Sequence, residues 1–468
     1  MKIQHTSSFL FVVLLTSCMV GPDYERPEVE VSDSWHTDLA YKNLKSDPLG
    51  DTGWTEIFQD EQLQMAVEEA LKHNKSLLIA IENIEQARAA NVVSRSRLFP
   101  TVDLELHNER ENESGLTNVA PNKADEFFLG AAVGWELDLW GRNRRANNAA
   151  YARYLAAEYG AQAVRISLVA DVSRAYFELQ GVESRLGINN DTLDAREQAV
   201  GIANKRHKGG LTSKLEVIQS EVELASAKAS IPGVEQRKLV VENQLSFLLG
   251  KPPQHIVLNR QLEDQYLPTK VTAGLPANLL NRRPDTMKAE QKLIAASESV
   301  GYAHGRLYPR FNLTGSLGYE TQEFGDLLDS DGRFWIIELD VIMPLFNSGA
   351  RRAELSAAES RFNQARLNYE QTVLNSLREV SDALNAFYKS GESLKAQLEL
   401  ETATAAYLHL AQIRYRNGVL AYLDVLDARR GLFTAQIAVS NARQAQLFAL
   451  VDLYKALGGG WDQQTLNN

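Results

Sequence analysis

The chain has 468 residues, 44% of them apolar, and a formal net charge of −11. A mean hydropathy of −0.28 argues against a polytopic helical membrane protein, and the acidic balance sets nucleic acid aside as a partner, because a phosphate-binding surface needs clustered Lys and Arg. One cysteine, Cys18, leaves no intrachain disulfide and none of the Cys-based metal patterns.

Residues 1–17 read as a signal peptide. Lys2 gives a thin positive region, Phe9 to Leu15 (FLFVVLL) an apolar one, and Leu15-Thr16-Ser17-Cys18 a cleavage site ending in small residues. A cysteine just after such a site resembles the bacterial lipobox. The resemblance implies that Cys18 becomes the first mature residue and carries lipid, and that Met19, standing where Asp would retain a lipoprotein inside, directs it to the outer membrane. An ordinary signal peptide with an incidental cysteine fits the same residues. Past residue 20 no uninterrupted apolar run is long enough to cross a bilayer as a helix. An extended, lipidated segment is expected over 18–60, then one repeat over 61–260, a second over 275–460, and a tail over 461–468.

The repeat rests on four anchors. RLFPTVDLEL at Arg97 matches RLYPRFNLTG at Arg306, and Leu139-Trp140 matches Leu345-Phe346. RHKGGLTSKLEVIQSEV at Arg206 matches RYRNGVLAYLDVLDARR at Arg414, and Leu249-Gly250 matches Leu457-Gly458. The last two pairs share one offset, 208 residues (414 minus 206, 457 minus 249), and the others lie close to it. Each copy reads helix, strand, strand, long helix, turn, long helix.

Two stretches of each copy alternate strictly. Val102, Leu104 and Leu106 alternate with Asp103, Glu105 and His107; Leu129, Ala131, Val133, Trp135, Leu137 and Leu139 form one face of the second strand. Phe311, Leu313, Leu317 and Tyr319 alternate with polar residues in the third, and Trp335, Ile337, Leu339, Val341 and Met343 line the fourth. Period two over roughly ten residues means a strand with one apolar and one polar face. That length suits a tilted membrane-spanning strand, although a soluble antiparallel sheet over a core alternates in the same way.

The remainder reads as helix. Between Ala350 and Arg416 there is no proline, and Phe362, Ala365, Tyr369, Val373, Leu377, Val380, Leu384 and Phe387 recur at spacings of three and four, a coiled-coil-like stripe. At about 1.5 Å per residue such a helix reaches about 100 Å. Arg142 to Lys208 is likewise free of proline. Gly209-Gly210 and Asn417-Gly418 supply matching helix-stopping turns, and Pro232 is expected to interrupt the return helix of the first copy.

Four strands cannot close a membrane barrel, since bacterial outer-membrane barrels begin at eight and open edges in lipid leave backbone groups unpaired. The chain must share a barrel with other copies. Three give twelve strands and two give eight; strand count alone does not choose.

These features resemble the outer-membrane efflux proteins of the TolC type, in the lipoprotein branch typified by OprM and NodT, over essentially the whole mature chain. The residues that carry the resemblance are Cys18-Met19-Val20-Gly21-Pro22-Asp23-Tyr24-Glu25-Arg26-Pro27, Asn281-Arg282-Arg283-Pro284-Asp285 with Ala289-Glu290, Trp135-Glu136-Leu137-Asp138-Leu139-Trp140-Gly141-Arg142, and the stretch from Arg414 to Arg430. Met287 departs from the pattern, where a branched aliphatic residue is usual. The resemblance implies a mainly α fold of long antiparallel hairpins with four membrane strands per chain. It implies a homotrimer with a twelve-stranded barrel in outer-membrane lipid, and passive export through a periplasmic helical tunnel. Its partners would be a periplasmic adaptor and an inner-membrane efflux transporter. Exit ducts for type I protein secretion share the plan, and a lipid-anchored coiled-coil scaffold without a pore is the alternative from a different class. An extracellular position for residues 119–123, between the first two strands, separates duct from scaffold.

Asp424 and Asp427 are three apart and share a helix face just past the Asn417-Gly418 turn. On a common axis three chains stack two rings of carboxylates, which select and hold cations; on an isolated helix the same pair is a solvated face. The resemblance places Asp424, Asp427 and Tyr415 at the periplasmic gate and makes the tips, Gly210 and Leu211 with Gly418 and Val419, candidate adaptor contacts. Leu420 stands where the family's gate carries an arginine, and the first copy has Glu216 and Gln219 at the acidic positions. The eight histidines show no metal-ligand spacing, and neither G-x-S-x-G nor a P-loop occurs; no catalytic site, metal or cofactor is expected.

Overall fold

The computed structural model describes residues 19–31, 35–37, 49–112, 123–268, 271, 273 and 276–459. Cys18, the signal segment, residues 119–122 and the tail 461–468 lie outside the described residues.

In chain order the elements are α1 (Trp54–Ile57), α2 (Glu61–His73), α3 (Lys75–Ser96), β1 (Thr101–Asn112), β2 (Lys123–Leu137), α4 (Arg142–Lys208), α5 (Lys214–Leu248), α6 (Pro284–Gly305), β3 (Arg310–Thr321), β4 (Arg333–Ile342), α7 (Ala350–Arg416) and α8 (Tyr422–Ala456). The repeat is thus written in backbone: α3-β1-β2-α4-α5 recurs as α6-β3-β4-α7-α8. The two long helices have 67 residues each and the two return helices 35 each. The first copy carries an additional helix, α2, whose start is fixed by the Asp60 carboxylate accepting from the backbone N–H groups of Gln62 and Leu63.

One unit contains residues 1–28, 82–158 and 288–371. Its sheet runs β1-β2-β3-β4, antiparallel throughout. Val102 lies opposite Val133, Leu104 opposite Ala131, and Leu106 opposite Leu129. Trp135 faces Leu313, Leu313 faces Leu339, and Leu317 faces Trp335. Period two therefore puts the alternating apolar residues of all four strands on one face, with Leu104 81% and Trp335 74% exposed, while Phe128, Phe334 and Ile336 fall on the opposite face. Asp103, Glu105, Glu338 and Asp340 share the other face. β2 and β4 stop at Leu137 and Ile342, short of Leu139 and Met343. Asp138 ends β2 because its carboxylate turns to accept from the N–H groups of Asn143 and Arg144 at the head of α4. Pro344, with no N–H to donate, follows β4.

The N-terminal motif is a strap on this unit. Val20 N–H donates to the Trp140 carbonyl at 3.1 Å. Arg145, 1% exposed, donates to Asp23 at 2.9 Å, to the Gly21 carbonyl at 3.3 Å and to Glu298 at 3.2 Å. Tyr24 and Arg26 both donate to Glu290, at 3.2 and 2.7 Å. Gly21, at φ +92°, lies so close to Gly301 that a Cβ would stand 2.9 Å from its Cα, so only glycine fits.

The second unit contains residues 29–81, 159–287 and 372–468. Phe58, Leu63, Val67, Tyr176, Phe177, Leu245, Phe387, Leu450 and Tyr454 belong to its buried apolar cluster. The Arg-Arg-Pro-Asp motif is structural here. Pro284 is the first residue of α6, where the missing N–H costs nothing. Arg283, 7% exposed, donates to the Ala456 carbonyl, to Asp285 and to Glu379, joining the ends of α6 and α8 to α7. Pro232 does not interrupt the return helix: α5 runs unbroken from Lys214 to Leu248 with the proline inside. The ring lies on the exposed side, and Gly233 beside it borders open space, so one lost hydrogen bond is absorbed toward solvent while the opposite face stays packed.

Candidate functional site

The two hairpin tips, 205–216 and 413–424, are the same object built twice. At the first, Gly210 N–H donates to the His207 carbonyl at 3.0 Å and Leu211 N–H to the Arg206 carbonyl at 2.9 Å. At the second, Gly418 donates to Tyr415 and Val419 to Arg414 at the same distances, 3.0 and 2.9 Å. Both are Schellman closures with glycine in the left-handed region, at φ +72° and +73°. The expected tip residues thus stand at the tips. Leu211 and Val419 project apolar side chains there, 72% and 64% exposed, and their successors one helical turn on, Leu215 and Leu423, are exposed as well.

Behind the tips, one face of α5 meets the second hairpin through polar groups. Glu216, Ser220 and Glu223 follow one another at helical spacing of four and three. Tyr415 Oη donates to Glu216 Oε2 at 2.8 Å, the Arg206 guanidinium lies 5.2 Å from the Tyr415 ring centroid, and the Tyr422 ring packs against that ring with centroids 5.3 Å apart. Burial, reinforced by the hydrogen bond to Glu216, pushes the Tyr415 phenol up to about 12, so it stays a donor at neutral pH. One turn deeper, the hydroxyls of Ser220 and Tyr422 are 2.7 Å apart. Deeper still, the buried Glu223 carboxylate accepts from Arg430 Nε at 2.8 Å and pairs with Arg196 at 3.2 Å, while Arg196 also donates to the Glu223 carbonyl at 2.7 Å.

Asp424 and Asp427 occupy the first turns of α8; Asp424 is half-buried and Asp427 exposed. Tyr415 is drawn into the polar contact with the first hairpin and the two aspartates are not. Leu420 packs with Tyr415 and Leu408 against a small buried cluster of Ala411, Tyr422, Val425, Leu426 and Ala428. Leu420 is thus part of an apolar cluster, and a cation of the second hairpin that reaches the first is Arg430, on Glu223. Glu223, Arg196 and Arg430 escape sequence reading. Their one signal is a charged residue, Glu223, falling on the same helical stripe as Val217, Ser220 and Ala227, all of them buried. Among the described residues no group of three or more His, Cys, Asp or Glu side chains is placed to hold a metal ion, and no helix is long and apolar enough to cross a membrane.

Comparison with known proteins places this architecture. Residues 66–251 and 275–459 match the family model "Outer membrane efflux protein". The chain is 34% identical over 456 residues to the solvent efflux pump outer membrane protein SrpC of Pseudomonas putida, covering 96% of this chain and 97% of that one. It is 30% identical over 460 residues to the cation efflux system protein CusC of Escherichia coli, covering 97% and 98%. The crystal structure of the open state of the Neisseria gonorrhoeae MtrE outer membrane channel superposes with a TM-score of 0.86 at 30% identity, covering 95% of this chain and 98% of that one. With its repeat, its four-stranded sheet and its paired long hairpins, the chain belongs to the outer membrane efflux protein family and is an outer-membrane channel of an efflux system.

Proposed function

We propose that three copies of this chain form a passive exit duct, lipid-anchored through Cys18. The duct is docked by a periplasmic adaptor at the tips Gly210-Leu211 and Gly418-Val419 and supplied by an inner-membrane transporter. The observation that carries the reading is the sheet. Its apolar face is exposed on β1 and β4 and half-buried over most of β2 and β3, and β1 and β4 are edges with no neighbour among the described residues. Unpaired edges are prohibitive in lipid, so identical copies join edge to edge. Three make a twelve-stranded barrel, within the range of outer-membrane barrels. The strap supports the anchor: Val20, two residues past Cys18 in sequence, is bonded to Trp140 at the strand-to-helix junction that follows β2.

In this duct Asp424, Asp427 and Tyr415 form the periplasmic gate. Three chains bring six carboxylates to one constriction, a ring that attracts cations and resists bulky or anionic solutes. Tyr415 holds the second hairpin against the first. The exposed apolar pairs Leu211/Leu215 and Val419/Leu423 give an adaptor a surface at both tips. The repeats extend over 61–260 and 275–460, each supplying two strands and one hairpin. The family is one of transport, and the reading assigns this chain no chemistry of its own: cargo is selected upstream, with solvents and cations among the cargoes named for relatives.

The test is single-channel recording in planar bilayers. Asp424→Ala with Asp427→Ala raises closed-state conductance several-fold and lowers cation preference, and cells carrying the pair become sensitive to bulky antibiotics. Unchanged conductance and ion preference would remove both aspartates from the gate.

A further inference from the structure

The internal repeat makes one contact of this chain a template for another. Arg206 and Glu216 of the first tip hold Tyr415 of the second between them: the carboxylate accepts its hydroxyl and the guanidinium lies against its ring. Moving each residue by the repeat offset turns Arg206 into Arg414, Glu216 into Asp424 and Tyr415 into His207. The backbone supports the transfer, because the two tips have the same closing hydrogen bonds at the same lengths and start and end their helices at the same offset. Among the described residues no side chain of the same chain sits in this second clamp. Its jaws are on the second tip, while the tip that follows in a closed ring of alternating hairpins is the first tip of the next copy.

We infer that Arg414 and Asp424 of one copy clamp His207 of the neighbouring copy, so that Asp424 closes the seam between chains as well as standing at the edge of the bore. This rests on the ring of copies proposed above. Charge is complementary: Asp424 meets an imidazole on a tip that also carries Arg206 and Lys208, and the residue equivalent to Tyr422 one turn on is Lys214. The ring of His207 is pre-set, since its Nδ1–H donates to the Thr212 carbonyl at 3.0 Å; as the imidazolium, with a proton on each nitrogen, it presents Nε2–H to the carboxylate.

The two seams differ below this point. Inside the chain, Ser220 and Glu223 continue the contact to Tyr422 and Arg430. At the seam between copies their equivalents are Ala428 and Gly431, facing Lys214 and Val222 of the neighbour, with no pair of opposite charges. The clamp on His207 is then the principal polar tie between copies at the tips, and the seam between copies parts before the seam within the chain.

Paired cysteines test the assignment. His207→Cys with Asp424→Cys, bridged in the outer membrane by a short bismaleimide that spans the length of the two replaced side chains, is expected to give products of two and three chain masses on denaturing gels. Glu216→Cys with Tyr415→Cys, treated in the same way, is expected to stay at one chain mass with an internal cross-link, since the native contact joins the far ends of two long side chains. Each single-cysteine variant controls for Cys18 and is expected to give one chain mass. If the Glu216/Tyr415 pair closes and amine cross-linking of the same membranes shows the trimer, but His207/Asp424 gives no linked chains, the clamp is wrong and the ring of copies stands. If amine cross-linking shows single chains only, the ring fails and the clamp with it.

Discussion

Tyr415 is the residue on which the tip contact turns. It spans two hairpins separated by 199 positions in sequence, with an acid on one side and a guanidinium over its ring. Its phenol is raised from an ordinary value near 10 to about 12 by burial and by the bond to Glu216. A raised folded-state value means the tie is complete below the free phenol's pKa and is lost as pH rises through about 12. Tyr415→Phe is expected to remove a hydrogen bond to a charged acceptor, worth about 1.5 kcal/mol at a partly exposed tip. The phenolate difference spectrum against wild type should lose one tyrosine titrating above pH 10, and resting conductance should rise. A Phe variant with an unaltered alkaline titration would mean that Tyr415 does not make this bond in solution.

At the scale of elements, α5 and α8 began as the same 35-residue helix and now carry different faces. The face of α5 bearing Glu216, Ser220 and Glu223 is a polar ladder to the second hairpin; the equivalent positions of α8 are Asp424, Ala428 and Gly431. Glu223 is the deepest rung, and removing its side chain leaves the buried Arg196 guanidinium without its carboxylate partner, with only the backbone carbonyl of residue 223 to accept from it. Breaking such a pair from one side costs about 3–5 kcal/mol, so Glu223→Ala should sharply reduce amide hydrogen-exchange protection along 214–230. Arg430→Ala should do less, because its own side chain is half in solvent. Equal protection in all three proteins would show that the ladder does not hold the hairpins together.

The helices, turns and strands were legible in the sequence because each is a local pattern: period two in the strands, spacings of three and four in the helices, glycine at the tips. What escaped was non-local or averaged. Glu223 reads as one more acid on a charged helix until Arg196 and Arg430 are brought to it. Leu420 reads as an isolated departure until its packing against the cluster of Tyr422 and Val425 is seen. Pro232 misled because a proline penalty is counted per residue, while a 35-residue helix packed along one face tolerates a solvent-side ring.

For the whole molecule the governing fact is the incompleteness of the sheet. Alternation shows that each strand has an apolar face, and the register shows that the four faces coincide, which alternation by itself does not establish. A core beneath that face would have made it a soluble sheet, but Leu104, Trp335 and Ile337 stand open. Lipid outside and other copies at the edges complete it. Native mass spectrometry of the full chain released from outer membranes in detergent tests this most directly. The account predicts a particle of three chains, each carrying the added mass of lipid on Cys18; a folded particle of one chain would contradict it.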